Sequence, residues 1–302
     1  CQFLRPRPGE RVVFGVSSMT ATLRKVAVKK PGPSIVNADP TLWHYGKNFN
    51  PTKIPNIHKE FVKKLEKSGT EIYWMPENDQ GIADAIFTYD ASLMTPSGAL
   101  LMSPGKPLRE GEQKLHSDFY KSIGISIIGT VEGAGRAEAG DTLWLDEKTF
   151  LIGRGFRTNH IGAEQLKEII SPMGIDVHIF DLPVYLGAAA CLHLMSLISL
   201  VHTHIALVCM PLLPVSLLKL LEVKGFKLIE APYEEFKKSN TLSTNILAMA
   251  PGDCLMLNGL PKTRNALIQA GIKVDVFDGN ELCIGCEGGP TCLTRPLLRG
   301  QF

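Results

Sequence analysis

The stretch IHKEFVKKLEKSGTEIYWM, residues 57–75, decides the fold of this chain. Ile57, Phe61 and Leu65 recur at helical spacing while lysines fill the opposite face, so the first part is predicted as an amphipathic helix. Gly69 ends this helix, because glycine adopts the left-handed conformation that terminates helices without strain. The residues after Gly69 are rich in β-branched and aromatic side chains and are predicted as a strand.

The same order of helix, glycine and strand occurs five times, roughly fifty residues apart. The helices are predicted at residues 57–68, 111–123, 161–173, 215–224 and 262–270, and the strands at 70–75, 125–131, 175–182, 226–231 and 272–277. Hairpin signals lie between them, at residues 93–102, 143–152, 197–208 and 246–257. The run at residues 22–29 would complete the fifth unit. Such self-similarity predicts one strand–strand–helix–strand unit used five times and closed into a ring.

The composition is that of one globular domain. The chain has 302 residues, of which 44% are hydrophobic, an ordinary value for a folded protein. No flexible linker or charge run divides it, so residues 19–302 are predicted as a single domain. Residues 1–18 match none of the repeated units and Met19 could be the natural start. They are therefore predicted as an N-terminal extension that could be non-native.

Charge and cysteine usage limit the classes of partner. The net charge of +2 gives no reason to expect nucleic acid or an anionic membrane surface as a partner. No uninterrupted apolar stretch is long enough for a membrane span. Seven cysteines form no paired framework, which indicates free thiols in a reducing cytoplasm. The sequence leaves the oligomeric state open, and a homo-oligomer is compatible with it.

Polar residues recur at similar places in the five units. Asp90, His193, Asn245 and Cys292 each follow one of the repeated glycines by about twenty residues in apolar surroundings, and Glu138 comes slightly earlier in its unit. Equivalent positions of a closed ring meet at its centre. These side chains are therefore predicted to converge in one pocket although they are far apart in the sequence.

Cys292 and His193 are the candidates for covalent and acid–base chemistry. The motif GGPTCL at residues 288–293 places two glycines before Cys292, which permit close backbone approach. A nucleophilic role competes with that of a buried structural cysteine. His193 stands between two leucines, and strand alternation would place it on the face opposite to them. A hydrogen-bonded core histidine is the alternative to a general acid and base.

Carboxylates in apolar surroundings suggest a cationic ligand. Asp84, Asp90 and Glu138 are costly to bury unless they meet a cation, and a planar guanidinium suits two carboxylates. Turn capping is the alternative, more plausible for Asp141 than for Glu138. Arg157 could bind a substrate carboxylate or form a surface salt bridge. The predicted substrate-binding residues are Asp84, Asp90, Arg157 and Asn245.

The sequence predicts no metal site and no cofactor. Cys283 and Cys286 form a single CxxC pair, whereas structural zinc usually takes two such pairs. His202 and His204 fall at a predicted hairpin turn, where a solvated turn is the better interpretation. No glycine-rich phosphate-binding loop is present.

The order of these residues and their flanking motifs resembles the guanidino-modifying pentein superfamily, which contains arginine deiminases, dimethylarginine dimethylaminohydrolases and amidinotransferases. The matching motifs are FTYD at 87–90, EAGD at 138–141, RTN at 157–159, HL at 193–194 and GGPTCL at 288–293. The resemblance implies an α/β fold, a five-bladed propeller of ββαβ units with its site on the pseudo-fivefold axis.

The resemblance also implies roles for individual residues. Cys292 is similar to the family's nucleophile and His193 to its acid and base. Glu138 would orient His193 and, together with Asp90, bind a guanidinium group. Arg157 would bind the substrate carboxylate, and the product would be a ureido compound such as citrulline.

Two departures bear on the substrate. Deiminases have an acid two residues after the catalytic histidine, where this chain has Met195, and Ala139 replaces the first glycine of the Glu-Gly-Gly-Asp motif. The loss of an acid favours a methylated arginine, which offers fewer hydrogens to bind, or another guanidine. Arginine deiminase and amidinotransferase activities remain alternatives. A non-catalytic pentein that binds ribosomal RNA is less favoured, because Cys292 and His193 are retained and the charge is near neutral.

Overall fold

The computed structural model describes residues 13–301. Its strands are β1 Leu23–Val28, β2 Glu71–Trp74, β3 Ser92–Thr95, β4 Gly98–Leu101, β5 Ile127–Thr130, β6 Thr142–Asp146, β7 Thr149–Arg154, β8 Asp176–Asp181, β9 Ile198–His202, β10 Ile205–Val208, β11 Lys227–Glu230, β12 Leu247–Ala250, β13 Asp253–Leu257, β14 Lys273–Phe277 and β15 Arg295–Arg299. The helices are α1 Pro33–Val36, α2 Pro40–Trp43, α3 Ile54–Lys67, α4 Glu112–Ser122, α5 His160–Ile170, α6 Leu194–Leu197, α7 Val215–Val223, α8 Tyr233–Lys238 and α9 Pro261–Gln269.

The strands form five three-stranded sheets of identical topology. In each sheet the middle strand pairs antiparallel with one neighbour and parallel with the other, as β4 does with β3 and β5. Because a parallel pair cannot be joined by a tight turn, a helix crosses over between the two parallel strands. The helices α3, α4, α5, α7 and α9 make these crossovers. The predicted five-bladed α/β architecture is confirmed.

The two ends of the chain share one blade. β1 pairs antiparallel with β15 and parallel with β2, so the strand predicted at residues 22–29 does complete the fifth unit. The segment before it belongs to the same blade, because the Gly15 N–H donates to the Leu297 carbonyl at 2.8 Å. Residues 13–18 of the predicted extension therefore pack on the last sheet. Residues 1–12 lie outside the described residues.

The glycines that end the five crossover helices behave as predicted. Gly69, Gly124, Gly174, Gly225 and Gly271 have φ angles of 84°, 78°, 78°, 71° and 86°. This left-handed conformation is strained for any residue with a Cβ atom, so glycine is the residue that can end the helix and start the strand within one turn. The strands begin one or two residues later than predicted, because the first amide after the turn still bonds to the helix, as Thr70 does to Leu65.

One local prediction is wrong. His193 does not lie on a strand but immediately before the single-turn helix α6. Its backbone N–H donates to Ser196 Oγ at 3.0 Å, and the N–H of Leu194 donates to Asp141 Oδ1 at 3.0 Å. These side-chain acceptors stabilise a helical turn where the alternation of leucines had suggested an extended chain.

The hydrophobic core consists of two clusters. One holds most of the buried side chains of β3 to β10 and the other those of β1, α3 and β12 to β14. Where the first strands of the blades approach one another, β9 contacts β12 and β15 contacts β3. The polar residues predicted to converge lie just before these strands. Within residues 13–301, none of the helices has both the length and the apolar character needed to cross a bilayer.

Candidate active site

Five chain segments meet at a small cavity between the first strands of the blades. The cavity has a volume of about 20 Å³ and is lined by Cys292, His193, Asn245, Cys191, Glu287 and Met195, among others. We call it the Cys292 cavity. The structure thus brings together three of the residues that the sequence predicted to converge.

Cys292 is held by the loop that carries it and by Asn245. Asn245 Nδ2 donates to Cys292 Sγ at 3.2 Å, and Asn245 Oδ1 accepts from the Thr291 N–H at 2.9 Å. A Cβ atom at Gly289 would lie 2.4 Å from Asn245 Cγ, so the glycine allows this close approach. Burial above all, with Asp90 adding to it, raises the pKa of the Cys292 thiol to about 12. The thiol is therefore neutral in the unliganded protein.

His193 is oriented by Glu138. His193 Nε2 lies 2.7 Å from Glu138 Oε2, and Nδ1 lies 3.7 Å from Cys191 Sγ on the wall of the cavity. Burial would lower the pKa of His193, but Cys191, Asp90 and Asp141 outweigh it and raise the pKa well above the usual value. The ring is therefore held as an imidazolium that can donate a proton.

Arg157 pairs with Glu138. Its Nη1 donates to both carboxylate oxygens, at 3.0 and 3.2 Å, and the two side chains are 13% and 1% exposed. This buried pair matches neither of the two roles considered for Arg157. It is not a surface salt bridge, and the guanidinium is already paired with a protein carboxylate before any substrate carboxylate binds. Burial would raise the pKa of Glu138, but Arg157 and His193 overcome this and hold it well below its usual range. Glu138 is therefore ionised.

Asp90 is bound by a buried arginine that the sequence analysis did not single out. Arg109 Nη1 donates to Asp90 Oδ2 at 2.6 Å, and Arg109 forms a two-point pair with Glu112 at 2.8 Å for each bond. The other oxygen of Asp90 accepts from the Gly140 N–H at 2.9 Å. A Cβ at Gly140 would lie 2.5 Å from His193 Nδ1 and 2.8 Å from Asp90 Oδ1. Glycine at position 140 thus lets the aspartate and the histidine approach one backbone segment.

The structure does not bring Asp84 to the Cys292 cavity. Its carboxylate accepts from the Tyr45 hydroxyl at 2.7 Å and from Lys106 Nζ at 2.6 Å. Both oxygens therefore have partners within the protein, and Asp84, like Asp90 and Glu138, is not among the residues that line the cavity. Its role in substrate binding stays a prediction.

Asp141, for which turn capping was the alternative, supports the site indirectly. It accepts from Thr158 Oγ1 at 2.7 Å and from the Leu194 N–H at 3.0 Å, and so joins three segments around His193. Arg109 and Glu112 had no distinguishing signal, since an Arg and a Glu three residues apart look like a solvated helix face. Glu287 precedes the glycine motif and could have been found by its proximity to Cys292.

The residues suited to metal binding are already paired. Among residues 13–301, Asp90, Glu138 and His193 have one ligand atom each within 4.8 Å of one another. Both carboxylates, however, accept from arginines, and these positive charges oppose a cation at the same place. Cys283 and Cys286 are buried, and burial raises the pKa of each thiol well above its usual value.

Comparison with known proteins identifies the family of this chain. A family model described as "N,N dimethylarginine dimethylhydrolase, eukaryotic" matches residues 47–270. The uncharacterised protein YkgA of Bacillus subtilis is 28% identical over 93% of this chain and 93% of its own length. The N(G),N(G)-dimethylarginine dimethylaminohydrolase of Streptomyces coelicolor is 26% identical over 78% of this chain and 82% of its own length.

Solved structures agree on the fold. A dimethylarginine dimethylaminohydrolase variant from Pseudomonas aeruginosa, complexed with citrulline, has a TM-score of 0.72 and 22% identity. The match covers 91% of this chain and 99% of that chain. At this identity the likeness concerns the fold alone. The family model covers most of the chain, and the chain therefore belongs to the N,N dimethylarginine dimethylhydrolase family, whose members are enzymes that act on amidino groups.

Proposed function

We propose that this protein hydrolyses the guanidinium group of a methylated arginine, with Cys292 as the nucleophile and citrulline and a methylamine as products. The observation that carries the proposal is the arrangement of Cys292 and His193 around one cavity, with His193 bound to the ionised Glu138. A thiol, an imidazolium and a carboxylate in this order are what covalent catalysis at an electrophilic carbon requires.

The two carboxylates are suited to a guanidinium ligand. Glu138 accepts two hydrogen bonds from one guanidinium nitrogen of Arg157. Asp90 accepts a 2.6 Å hydrogen bond from a guanidinium nitrogen of Arg109. A substrate guanidinium would bind the same kind of oxygen pair at the cavity. There it would keep its positive charge, which makes the central carbon electrophilic. Arg157, released or shifted by the substrate, remains available to a substrate carboxylate.

Substrate binding would also activate the nucleophile. The thiol of Cys292 has a pKa of about 12, mainly because it is buried. A cation placed beside a thiol favours the thiolate and lowers the pKa. The bound guanidinium would therefore favour loss of the thiol proton to solvent, since His193 is already protonated, and the thiolate would form when there is a carbon to attack.

The reaction then proceeds in two halves. The Cys292 thiolate attacks the guanidinium carbon, and His193 donates its proton to the departing methylated nitrogen, which leaves an S-alkylthiouronium. The neutral His193 next takes a proton from water, the resulting hydroxide attacks the carbon, and the Cys292 sulfur leaves. General acid–base assistance of this kind contributes about 10²–10⁴ in rate.

Met195 supports the choice of a methylated substrate. Its side chain is 6% exposed and lines the cavity at the position where deiminases have an acid. A thioether packs against an N-methyl group but offers no acceptor to the additional N–H groups of unmethylated arginine. An amidinotransferase would use the same residues with an amine instead of water as the acceptor.

The test is a panel of guanidino compounds: arginine, mono- and dimethylarginines, guanidinoacetate and agmatine. After an acid quench, intact mass identifies the adduct on Cys292, and the released amine identifies the leaving group. Release of methylamine or dimethylamine with citrulline supports the proposal. Equal kinetics on arginine and its methylated forms contradict it. Activity that requires an added amine, such as glycine, identifies an amidinotransferase instead.

A further inference from the structure

A second cavity adjoins the first. It also has a volume of about 20 Å³, and Tyr89, Met195 and Thr291 line both cavities, so these three residues stand between them. Arg295 and Arg299 line the second cavity and not the first. We call it the Arg295 cavity.

The two arginines of this cavity are buried cations that have no counter-ion among the described residues. Arg295 is 2% exposed and Arg299 is 4% exposed. Within residues 13–301 neither arginine lies within salt-bridge distance of a carboxylate. Tyr89, which contacts Arg295, is followed by Asp90, but Asp90 is already bound by Arg109. An unpaired buried charge is strongly unfavourable, so a compensating group is needed.

The protein satisfies these arginines only in part. Arg295 Nη2 donates to the Tyr89 carbonyl at 3.1 Å, and its guanidinium lies 3.9 Å from the Tyr89 ring centroid. Arg299 Nη1 donates to the carbonyls of Ala21 and Ala248, at 2.8 Å each. Carbonyl dipoles and a ring face stabilise a cation but leave its full charge uncompensated.

Two donors at the cavity lack an acceptor. Arg295 Nε and Trp144 Nε1 are buried and have no hydrogen-bond partner among the described residues, and both side chains line the Arg295 cavity. Buried N–H groups are almost always paired, so such unpaired donors mark a missing acceptor. A water molecule could accept from these donors, but an anion would both accept from them and compensate the positive charge of the two arginines.

We propose that the Arg295 cavity binds one monovalent anion of halide size, held by Arg295, Arg299 and Trp144. A cavity of about 20 Å³ accommodates one particle of roughly the size of a water molecule. Chloride, a single small ion, is the simplest anion of this kind. The anion supplies the charge that the two arginines lack and accepts from the unpaired N–H groups.

The anion would stabilise the segments that form the catalytic cavity. Tyr89 immediately precedes Asp90, and Thr291 immediately precedes Cys292. A ligand that binds the folded state alone raises its stability in proportion to the logarithm of its concentration. The site therefore couples the anion content of the medium to the stability of the enzyme.

Thermal unfolding in sodium chloride and in sodium gluconate at equal ionic strength tests the proposal. Chloride at about ten times its Kd is expected to raise Tm by about 3 °C over gluconate. The difference should vanish in Arg299→Gln and persist in the control Arg154→Gln, whose exposed arginine pairs with Asp181. Chloride and gluconate curves that coincide for the unmodified protein overturn the proposal.

A second measurement uses the unmodified protein, so its result does not depend on whether a variant folds. Crystals of the unmodified protein soaked in bromide should show an anomalous peak between Arg295 and Arg299. Sulfate that displaces this peak and reproduces the stabilisation by chloride would overturn the assignment to an anion of halide size. A cavity without anomalous density at a bromide concentration that saturates the shift in Tm overturns the proposal.

Discussion

The two cavities share a wall but differ in how their buried charges are balanced. Beside the Cys292 cavity, Asp90 and Glu138 bond to the cavity residues Gly140 and His193, and each carboxylate is also bound by an arginine. At the Arg295 cavity, Arg295 and Arg299 meet no carboxylate among the described residues. The first arrangement can exchange one guanidinium for another, and the second attracts an anion. Which ligand each cavity takes thus depends on what its buried charges lack.

Arg109 and Arg295 show the difference most directly. Both are buried and both bond to the segment 87–90, since Arg109 contacts Phe87 and Asp90 while Arg295 contacts Tyr89. Arg109 uses its donors on two carboxylates and a carbonyl, whereas the described residues accept one hydrogen bond from Arg295. Burial alone therefore does not reveal whether an arginine is part of a balanced ion pair or of a binding site.

The largest effect is expected from removing the nucleophile, which would confirm that chemistry belongs to the Cys292 cavity. Cys292→Ser should lose at least about 10⁴ in kcat and keep its Tm, because the change is nearly isosteric. Cys191→Ser, which alters the other thiol of the same cavity, should retain measurable turnover. Citrulline formation measures both. Turnover in Cys292→Ser with none in Cys191→Ser would assign the nucleophile to Cys191.

Replacing one arginine at a time tests the difference in charge balance. Arg109→Gln leaves the buried carboxylates of Asp90 and Glu112 unpaired and should cost about 3–5 kcal/mol in the free energy of unfolding. Arg295→Gln removes an uncompensated cation and should cost less. Urea denaturation measures both, and equal losses would contradict the comparison.

The pH dependence sharpens the same test. Burial raises the pKa of Glu112 to about 7, even with Arg109 beside it. A carboxyl whose pKa is higher in the folded than in the unfolded state binds protons on folding, so stability increases as the pH falls. Without Arg109, which lowers the pKa of Glu112, this pKa should lie above 7. The deficit of Arg109→Gln should therefore narrow as the pH falls toward about 7 and change little between about pH 7 and about pH 5.

Alkylation of the Cys292 thiol tests whether a cation bound in the Cys292 cavity lowers the pKa of this thiol. With a pKa of about 12, the thiolate fraction should rise about 100-fold between about pH 7 and about pH 9, and the iodoacetamide rate with it. A non-reactive guanidinium compound should lower the pKa and shift this profile to lower pH. Intact mass follows the labelling. A plateau below pH 9 in the unliganded protein would contradict the burial argument.

The smallest effect concerns the shared wall. Met195→Asp adds an acceptor to the Cys292 cavity and should change the preference for methylated over unmethylated arginine by about tenfold in kcat/KM. It also places a carboxylate in the wall of the Arg295 cavity, so the stabilisation by chloride should weaken. Competition assays with both substrates measure the first effect and melting curves the second. An unchanged preference would remove Met195 from the account of specificity.

The sequence alone determined the architecture, because helix periodicity, turns and helix-ending glycines are local properties. The left-handed φ angles of the five glycines and the hairpins at their predicted places depend on neighbouring residues. The repeat then located Glu138, His193 and Cys292 at equivalent places of the blades, and the family motifs indicated their chemistry.

Only the tertiary structure decided the partners of the buried charges. Lys106 bonds to Asp84 across 22 residues, Arg157 to Glu138 across 19, and Arg295 to Tyr89 across 206. Local sequence assigns a charge to each residue but does not say which opposite charge it meets. Whether a buried charge is paired or left for a ligand follows from distances that exist once the five blades have closed.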